Sequence, residues 1–263
     1  MAGRNEIRDR YRQVCDQVAQ AAERSGRRAQ DVMVVAVTKY AGVDQIRQLL
    51  ELGHQDLGEN RVQQLQQRVA MTEEFLARHR ILTSPRKMEL PDSVRWHMIG
   101  HLQRNKVKVV LPLVKLIHSV DSLRLAEELQ VYAARRDCDA DILIQVNTSG
   151  EKSKGGVSLP AAPHLIDQIQ TMLNVRVRGL MTMAPLTDDT DEIRSTFART
   201  AEMFHEMRAG GAFGPKFNIL SMGMSGDYLI AIECGANLVR IGRAIFGEPE
   251  IVVPEDSVTE HAE

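Results

Sequence analysis

Short runs of apolar, mostly β-branched residues recur along the chain, and stretches with helical spacing of apolar residues separate them. We predict eight strands from these runs, in order VMVVAVTK, HQDLGEN, RWHMIG, KLIHSVD, DILIQVNTS, VRVRGLMTM, FNILSMGMS and NLVRIGRAIFG. Apolar runs without alternation are typical of parallel strands that are buried on both faces. Eight strands alternating with helices over 263 residues predict an α/β fold, a single (β/α)8 TIM barrel. The GxGxxG turn of an open dinucleotide-binding sheet follows none of these runs.

An additional helix precedes the first predicted strand. Apolar residues repeat at helical spacing from Ile7 to Ala21, and Ser25-Gly26 provides a stop signal. We expect this helix over residues 3–25. It is extra to the eight βα units, and we expect it to cover the amino-terminal end of the barrel.

Two segments interrupt the regular pattern of the chain. Residues 71–92 combine proline and charge without a period, which predicts a surface extension between a helix and the third strand. Residues 249–263 are acidic and are expected to form a flexible tail. The barrel, with its first helix and the extension, is then expected to occupy residues 1–248.

Composition narrows the class of protein. The formal net charge is −2, which gives no reason to expect nucleic acid or an anionic membrane as the main partner. The amino terminus lacks the apolar core of a signal peptide, and no apolar run has the length of a membrane helix. Cys15, Cys138 and Cys234 are too scattered for a disulfide framework or a zinc site. We therefore expect a cytoplasmic protein without a metal.

Polar residues follow the predicted strands, at the end where barrels hold their chemistry. Lys39 ends the first strand and Asn60 follows the second. Each has an ordinary explanation, since a lysine at a strand end can simply reach solvent and an asparagine can cap the next helix. His97 and His101 have no acidic third ligand, so we predict loop histidines and not a metal site.

Glycine- and serine-containing turns follow the last two predicted strands, as SMGMSGD at 221–227 and RIGRAIFG at 240–247. Such turns present backbone N–H groups and hydroxyls to a phosphate, and barrels commonly bind phosphate after strands seven and eight. Arg240 within the second turn is alternatively a structural arginine paired with Glu233. A lysine opposite a phosphate-binding turn is the arrangement that pyridoxal 5′-phosphate (PLP) requires. The residues alone also allow another phosphorylated ligand, with Lys39 as a counter-charge.

Seven motifs carry a resemblance to a known family: VVAVTKY, LGENRVQ, WHMIGHLQRNKVK, IQVNTSGEKSKGG, GLMTMAP, SMGMSGDY and VRIGRAIFG. In this order, across residues 30–248, they resemble the pyridoxal-phosphate homeostasis family, also known as proline synthetase co-transcribed homologues. These are single-domain, PLP-binding barrels similar to alanine racemase, of the fold-type III class. The resemblance implies six cofactor-binding residues: Lys39, Asn60, Ser225, Arg240, Gly242 and Arg243.

The family pattern also implies a role for each position. By this resemblance Lys39 forms an imine with PLP, Ser225 and the backbone around Gly242 and Arg243 hold the phosphate, Arg240 faces the pyridine ring, and Asn60 lies near the cofactor. In many family members serine or threonine follows the RIG motif. Because an arginine stands there in this chain, we carry over only the backbone role of Arg243.

Family members have no established catalytic activity, and they are implicated in buffering or delivering PLP and in amino-acid and keto-acid balance. We therefore expect a carrier or regulator without catalytic residues, whose partners are PLP and apo forms of PLP-dependent enzymes. The alternative is an amino-acid racemase or decarboxylase on the same barrel, with Tyr40 or Tyr228 as an acid or base, although such tyrosines more often pack. Related racemases carry a second β domain, and the predicted barrel occupies nearly all of this chain, which favours the carrier.

Overall fold

The computed structural model describes residues 2–82, 90–151, 155–211 and 213–248. All eight predicted strands are present: β1 (Met33–Val37), β2 (Asp56–Glu59), β3 (Arg95–Met98), β4 (Leu116–Val120), β5 (Ala140–Asn147), β6 (Val175–Met181), β7 (Ile219–Ser221) and β8 (Leu238–Ile241). Each pairs in parallel with the next, and β8 pairs with β1, so the sheet closes. The predicted (β/α)8 barrel is confirmed. The predicted acidic tail lies outside the described residues.

Helices connect the strands and cover the outside of the barrel. They are α1 (Ala2–Arg24), α2 (Val43–Glu51), α3 (Val62–Leu82), α4 (Val107–Val110), α5 (Leu123–Arg135), α6 (Ala162–Gln170), α7 (Thr190–Ala209), α8 (Tyr228–Glu233) and α9 (Arg243–Phe246). A two-residue strand, Val157–Ser158, pairs with the end of β5. It was not predicted, because two residues are too few to show a pattern.

Helix α1 packs along the side of the barrel, so the expectation that it covers the amino-terminal end is wrong. Its apolar residues, among them Ile7, Val14 and Val18, are buried in the main core, and the helix contacts α2, α8 and α9. Helix α9 has only four residues. Helix α1 therefore covers the surface that a longer final helix would occupy, and Arg10 Nε fastens it by donating to the Ile245 carbonyl at 3.1 Å.

The surface extension predicted for residues 71–92 is wrong over 71–82, which continue helix α3. Thr72 and Leu76 lie four residues apart on one buried face of this helix. Charged residues between them concealed the helical period in the sequence. Residues 83–89 lie outside the described residues.

Two hydrophobic clusters lie on opposite sides of the strands. The main core fills the layer between the strands and the helices. A smaller cluster lies in the barrel interior and is formed by Val35, Leu116, Leu143, Met181 and Leu238. We call it the interior apolar cluster. Other positions on the strands that face the barrel interior carry buried polar side chains, and some of these contact the candidate site.

Candidate functional site

The residues singled out in the sequence lie at the carboxyl ends of the parallel strands. Lys39 follows β1, Asn60 follows β2, Ser225 follows β7, and Arg243 begins α9 directly after β8. Because parallel strands all end on one side of a barrel, these positions share one face of the molecule. We call this face the carboxyl end of the barrel.

Lys39 is anchored through the residue before it. The backbone N–H of Thr38 donates to the Gly58 carbonyl on β2 at 3.0 Å, which fixes the end of β1. Lys39 itself is half-buried, and its Nζ lies 4.8 Å from the ring centroid of Tyr40, within the range of a cation–π contact. None of the described carboxylates forms an ion pair with Lys39. Its amine is therefore held near the site without a fixed counter-ion in the described residues.

Glu59, the last residue of β2, was not assigned a role from the sequence. It is fully buried; its Oε1 accepts from Thr38 Oγ1 at 2.5 Å and lies 2.7 Å from Arg68 Nε. Its Oε2 has no hydrogen-bond partner among the described residues. Burial raises the pKa of Glu59, and the hydrogen bond from Thr38 and the charge of Arg68 offset part of that rise. The signal that the sequence offered was an acidic residue at the end of the short strand segment HQDLGEN, directly before Asn60.

Asn60 lies where β2 gives way to α3. Its Oδ1 is buried and has no hydrogen-bond partner in the described part of the chain. The alternative that Asn60 caps helix α3 through this oxygen is therefore wrong. The backbone of Asn60 also packs closely on Gly100, where an added Cβ would lie 2.2 Å from the Asn60 carbonyl oxygen. Only glycine fits that approach, so the ends of β2 and β3 are locked together.

The two turns predicted to bind phosphate contact each other. Ser225 Oγ accepts from the backbone N–H groups of Gly242 at 3.2 Å and Ala244 at 3.3 Å. Gly223 begins the first turn with φ of +89°, and a Cβ there would lie 2.7 Å from the Cβ of Ala231. This position requires glycine for both conformation and space. The turns after β7 and β8 thus form one hydroxyl and amide cluster.

Arg243 contributes to this cluster through its position and not through its charge. Its side chain is exposed, and its Nη1 lies 3.4 Å from Glu248 Oε1. The amide N–H groups that reach Ser225 belong to the residues on either side of it.

Arg240 is buried inside the barrel, at the third position of β8. Its Nη1 donates to Ser221 Oγ at 2.6 Å, and its Nη2 donates to the Thr182 carbonyl at 2.9 Å. Burial lowers the pKa of Arg240 to about 10, which leaves the guanidinium charged at neutral pH. The alternative pairing with Glu233 is wrong, because that carboxylate binds Arg24 and Arg194 on the outer surface.

Of the two tyrosines considered as acids or bases, Tyr228 does not face the site. It is buried in the main core, and its hydroxyl donates to Gln17 Oε1 of α1 at 2.5 Å. Burial raises the pKa of Tyr228, which opposes a role in proton transfer. Tyr40 is exposed beside Lys39.

A line of five buried polar side chains crosses the barrel interior and was missed in the sequence. We call it the interior relay: Asp56, His97, His118, Ser221 and Arg240. It begins at the first residue of β2 and ends beside the carboxyl end of β8. The sequence pattern did not separate these residues from the apolar runs that contain them, since pairing across the barrel depends on the closed fold.

His97 lies within β3, not in a loop as predicted, and His101 is exposed in the segment that follows. The described residues contain no group of three histidine, cysteine or acidic side chains that could hold a metal ion.

Comparisons with known proteins find one matching family and several similar proteins. The family described as alanine racemase, N-terminal domain, matches residues 13–249. A Pyridoxal phosphate homeostasis protein from Aquifex aeolicus is 36% identical over 244 residues, covering 91% of this chain and 97% of that protein. PipY of Synechococcus elongatus, solved with PLP bound, is 30% identical with a TM-score of 0.67, covering 82% of this chain and 93% of that chain.

A more distant structure shares only the fold. Alanine racemase from Clostridium difficile is 15% identical with a TM-score of 0.61, and the match covers 96% of this chain but 57% of that chain. The barrel is therefore common to both, while much of the racemase lies outside the match.

Proposed function

The chain belongs to the pyridoxal phosphate homeostasis protein family, and on that premise we propose that it binds PLP and buffers or delivers it. The observation that carries the proposal is the position of Lys39. It lies at the carboxyl end of the barrel that also carries the Ser225 hydroxyl and the amides after β8. An amine and a phosphate-binding turn on one face match the two ends of PLP.

The donor and acceptor groups present at this end of the barrel fit PLP. Ser225 Oγ accepts two amide hydrogen bonds, so its own proton is left for a phosphate oxygen. Arg240 uses two of its N–H groups on protein acceptors and retains others for a ring. The buried Oδ1 of Asn60, which has no partner within the described ranges, is an acceptor that a ligand would satisfy.

Each residue then has a defined task. When bound, PLP supplies an electrophilic aldehyde carbon, and Lys39 provides the amine that holds it covalently. Ser225 donates its hydroxyl proton to the phosphate, and the amides of Gly242 and Ala244 hold that hydroxyl in place. Arg240 has donors and no acceptor, so toward the ring nitrogen it can only donate and leaves that nitrogen without a proton. This weakens the ring as an electron sink.

We propose a carrier or regulator and not an enzyme. Arg240 supports this choice, because it limits carbanion stabilisation. The extent of the similarities also supports it, since the homeostasis relative is matched over 97% of its length and the racemase over 57%. The alternative remains an amino-acid racemase or decarboxylase, for which Tyr40 is the tyrosine exposed beside Lys39.

A transfer experiment tests the carrier role. The PLP-loaded protein is first desalted to remove free PLP and is then mixed with an apo PLP-dependent enzyme. Recovery of the enzyme's activity is followed together with loss of PLP absorbance from the donor. We expect transfer from the wild type. The same mixture with Lys39→Ala should deliver no PLP, because no loaded donor forms. A loaded wild-type protein that never releases PLP to any apo-enzyme would contradict delivery.

Deuterium exchange distinguishes the carrier from the enzyme. The PLP-loaded protein is incubated with each common amino acid in deuterated water, and exchange of the α-proton is followed by NMR. We expect negligible exchange. Rapid exchange that Lys39→Ala abolishes would establish the racemase alternative, and loss of the carboxylate from any of these amino acids would establish the decarboxylase alternative.

A cytoplasmic location is part of this proposal. It is supported by the three cysteines, all of which are unpaired thiols in the structure, as is usual in a reducing compartment. Among the residues described, no helix combines the length and apolar character needed to cross a membrane.

A further inference from the structure

The interior relay is continuous at hydrogen-bond distance. His97 Nε2 lies 3.3 Å from Asp56 Oδ1, and His97 Nδ1 lies 3.0 Å from His118 Nε2. His118 Nδ1 lies 3.1 Å from Ser221 Oγ, which in turn accepts from Arg240 Nη1 at 2.6 Å. All five side chains are buried. The line therefore connects the amino-terminal end of β2 with the arginine of the candidate site, without passing through solvent.

The two ends of the interior relay fix the direction of every hydrogen bond within it. The guanidinium of Arg240 contains only donors, so Ser221 Oγ must accept from it. An ionised carboxylate contains only acceptors, so Asp56 must accept a hydrogen bond from His97. Burial alone would raise the pKa of Asp56, but the hydrogen bonds from Arg95 and His97 outweigh it and lower the pKa to about 2. Asp56 is therefore ionised at neutral pH.

With neutral imidazoles, one proton arrangement alone satisfies all the contacts. His97 carries its proton on Nε2, toward Asp56, so its Nδ1 must accept from His118 Nε2. His118 Nδ1 is then without a proton and accepts from the hydroxyl of Ser221. The reverse direction would require an additional proton on His97, which would then donate from both ring nitrogens.

The surroundings favour the neutral arrangement. Burial lowers the pKa of His118 well below its ordinary value; a charge on His97 would lower it further, and the charge of Arg240 acts in the same direction. The charged groups that face the relay are Arg95 on β3, which binds Asp56 through Nε at 2.7 Å, Arg240 on β8, and Asp227 in the turn after β7, whose carboxylate interacts with the charge of Arg240. An extra proton on the imidazoles would place a third positive charge inside the barrel between the guanidiniums of Arg95 and Arg240, which burial disfavours.

We propose that His118 and Ser221 are positioning residues for Arg240, held in one direction by His97 and Asp56. The fixed proton order makes Ser221 Oγ an acceptor for one N–H of the guanidinium while its own proton is used on His118. Together with the Thr182 carbonyl, this fixes the plane of the guanidinium and aims its remaining N–H groups. The consequence for the PLP ring rests on the proposed function, whereas the proton order itself does not.

The proton order is measured on the cofactor-free protein. Long-range ¹H–¹⁵N NMR of the histidine rings distinguishes the two neutral tautomers, and His97→Gln and His118→Gln identify the signals. At pH 7 we expect both rings to be neutral, with the proton on Nε2. A proton on Nδ1 of either ring, or a doubly protonated ring, would overturn the proposal. This measurement stands whether or not the protein binds PLP.

The action on Arg240 is measured with PLP bound. Ser221→Ala removes the acceptor for Arg240, and we expect a shifted absorption maximum of bound PLP and about tenfold weaker binding. Ser221→Thr keeps a hydroxyl and should restore both toward the wild type. His54→Gln is the matched control, because His54 is also buried but reaches Asp56 only at its backbone carbonyl, at 2.9 Å.

Two outcomes of the second experiment are informative in different ways. If Ser221→Ala binds PLP with the same absorption maximum and the same affinity as the wild type, the positioning role is overturned. Failure of the wild type to bind PLP would instead contradict the proposed function, and the tautomer measurement would still decide the proton order.

Discussion

The barrel interior holds two groups of side chains, one apolar and one polar, and different forces stabilise them. The interior apolar cluster is held by packing, which has no direction and depends on volume. The interior relay is held by hydrogen bonds, in which each atom must be either a donor or an acceptor. A change of side chain in the first group leaves a cavity, whereas a change in the second leaves a buried polar atom without a partner.

The difference explains how a polar line can cross a hydrophobic interior. Unsatisfied buried polar groups are costly, but a chain of groups in which each donor meets an acceptor avoids that cost. Replacing one member of the interior relay therefore leaves a neighbouring buried donor or acceptor without its partner. We expect variants of the apolar group to lose stability and retain the site, and variants of the polar group to alter the site.

The largest expected effect is in the apolar group. Leu143→Ala in the fully buried interior apolar cluster should lower the free energy of unfolding by about 2 to 5 kcal/mol. PLP affinity should remain unchanged while the protein is folded. Urea unfolding measures the loss, with Leu173→Ala as the control because Leu173 is 89% exposed. A loss of less than about 1 kcal/mol would mean that this group is loosely packed.

The next largest effect is expected at the phosphate turn. Ser225→Ala removes one hydroxyl donor and should weaken PLP binding by about 1.5 to 3 kcal/mol, since the partner is charged. The covalent attachment should persist at saturating PLP. Pyridoxal, which lacks the phosphate, serves as the control ligand and should bind equally to both proteins. Equal losses for PLP and pyridoxal would exclude Ser225 from phosphate binding.

The pH dependence of stability tests the end of the interior relay. The folded pKa of Asp56, about 2, lies below its ordinary value of 3.8. A lowered pKa stabilises the fold above pH 3.8, and this contribution is lost as the pH falls toward 2. It amounts to about 2 kcal/mol at neutral pH.

Asp56→Asn should therefore be less stable than the wild type at pH 7, with a difference that shrinks between pH 4 and 2 in chemical unfolding. Asp44→Asn is the control, because that carboxylate is 85% exposed and should contribute less than about 0.5 kcal/mol. A difference from wild type that stays constant over this pH range would contradict the assigned ionisation of Asp56.

The smallest effect is expected for Arg243→Ala. The side chain is 59% exposed, and its contact with Glu248 is a surface ion pair, so unfolding should change by less than about 0.5 kcal/mol. PLP affinity should also stay the same, because the neighbouring backbone amides are retained. A large loss of affinity for PLP, but not for pyridoxal, would show that the arginine side chain itself binds phosphate.

The sequence predicted the parts of the molecule that depend on local pattern. Runs such as VVAVTK marked the strands, and a parallel barrel necessarily brings their carboxyl ends together. This located Lys39 and the turn around Ser225 without any knowledge of contacts. The contact between Ser225 and the Gly242 amide follows from the same argument, since β7 and β8 are neighbours.

The missed features depend on the closed fold. His97 and His118 are separated by 21 positions in the chain and become partners only when β3 and β4 pair. The position of α1 depends on the shortness of α9, which no pattern within α1 reveals. Glu59 was visible in its motif, but its burial against Arg68 required the tertiary structure.

The central claim is that PLP is held through Lys39, and the most direct measurement locates the attachment. The PLP-loaded protein is reduced with borohydride, digested, and analysed by peptide mass spectrometry, with Lys115→Ala as a control at the opposite end of the barrel and Lys39→Ala as the test. We expect the modification on the Lys39 peptide in the wild type and the control, and no fixed PLP in Lys39→Ala. Modification of another lysine in the wild type, or undiminished fixation in Lys39→Ala, would contradict the account.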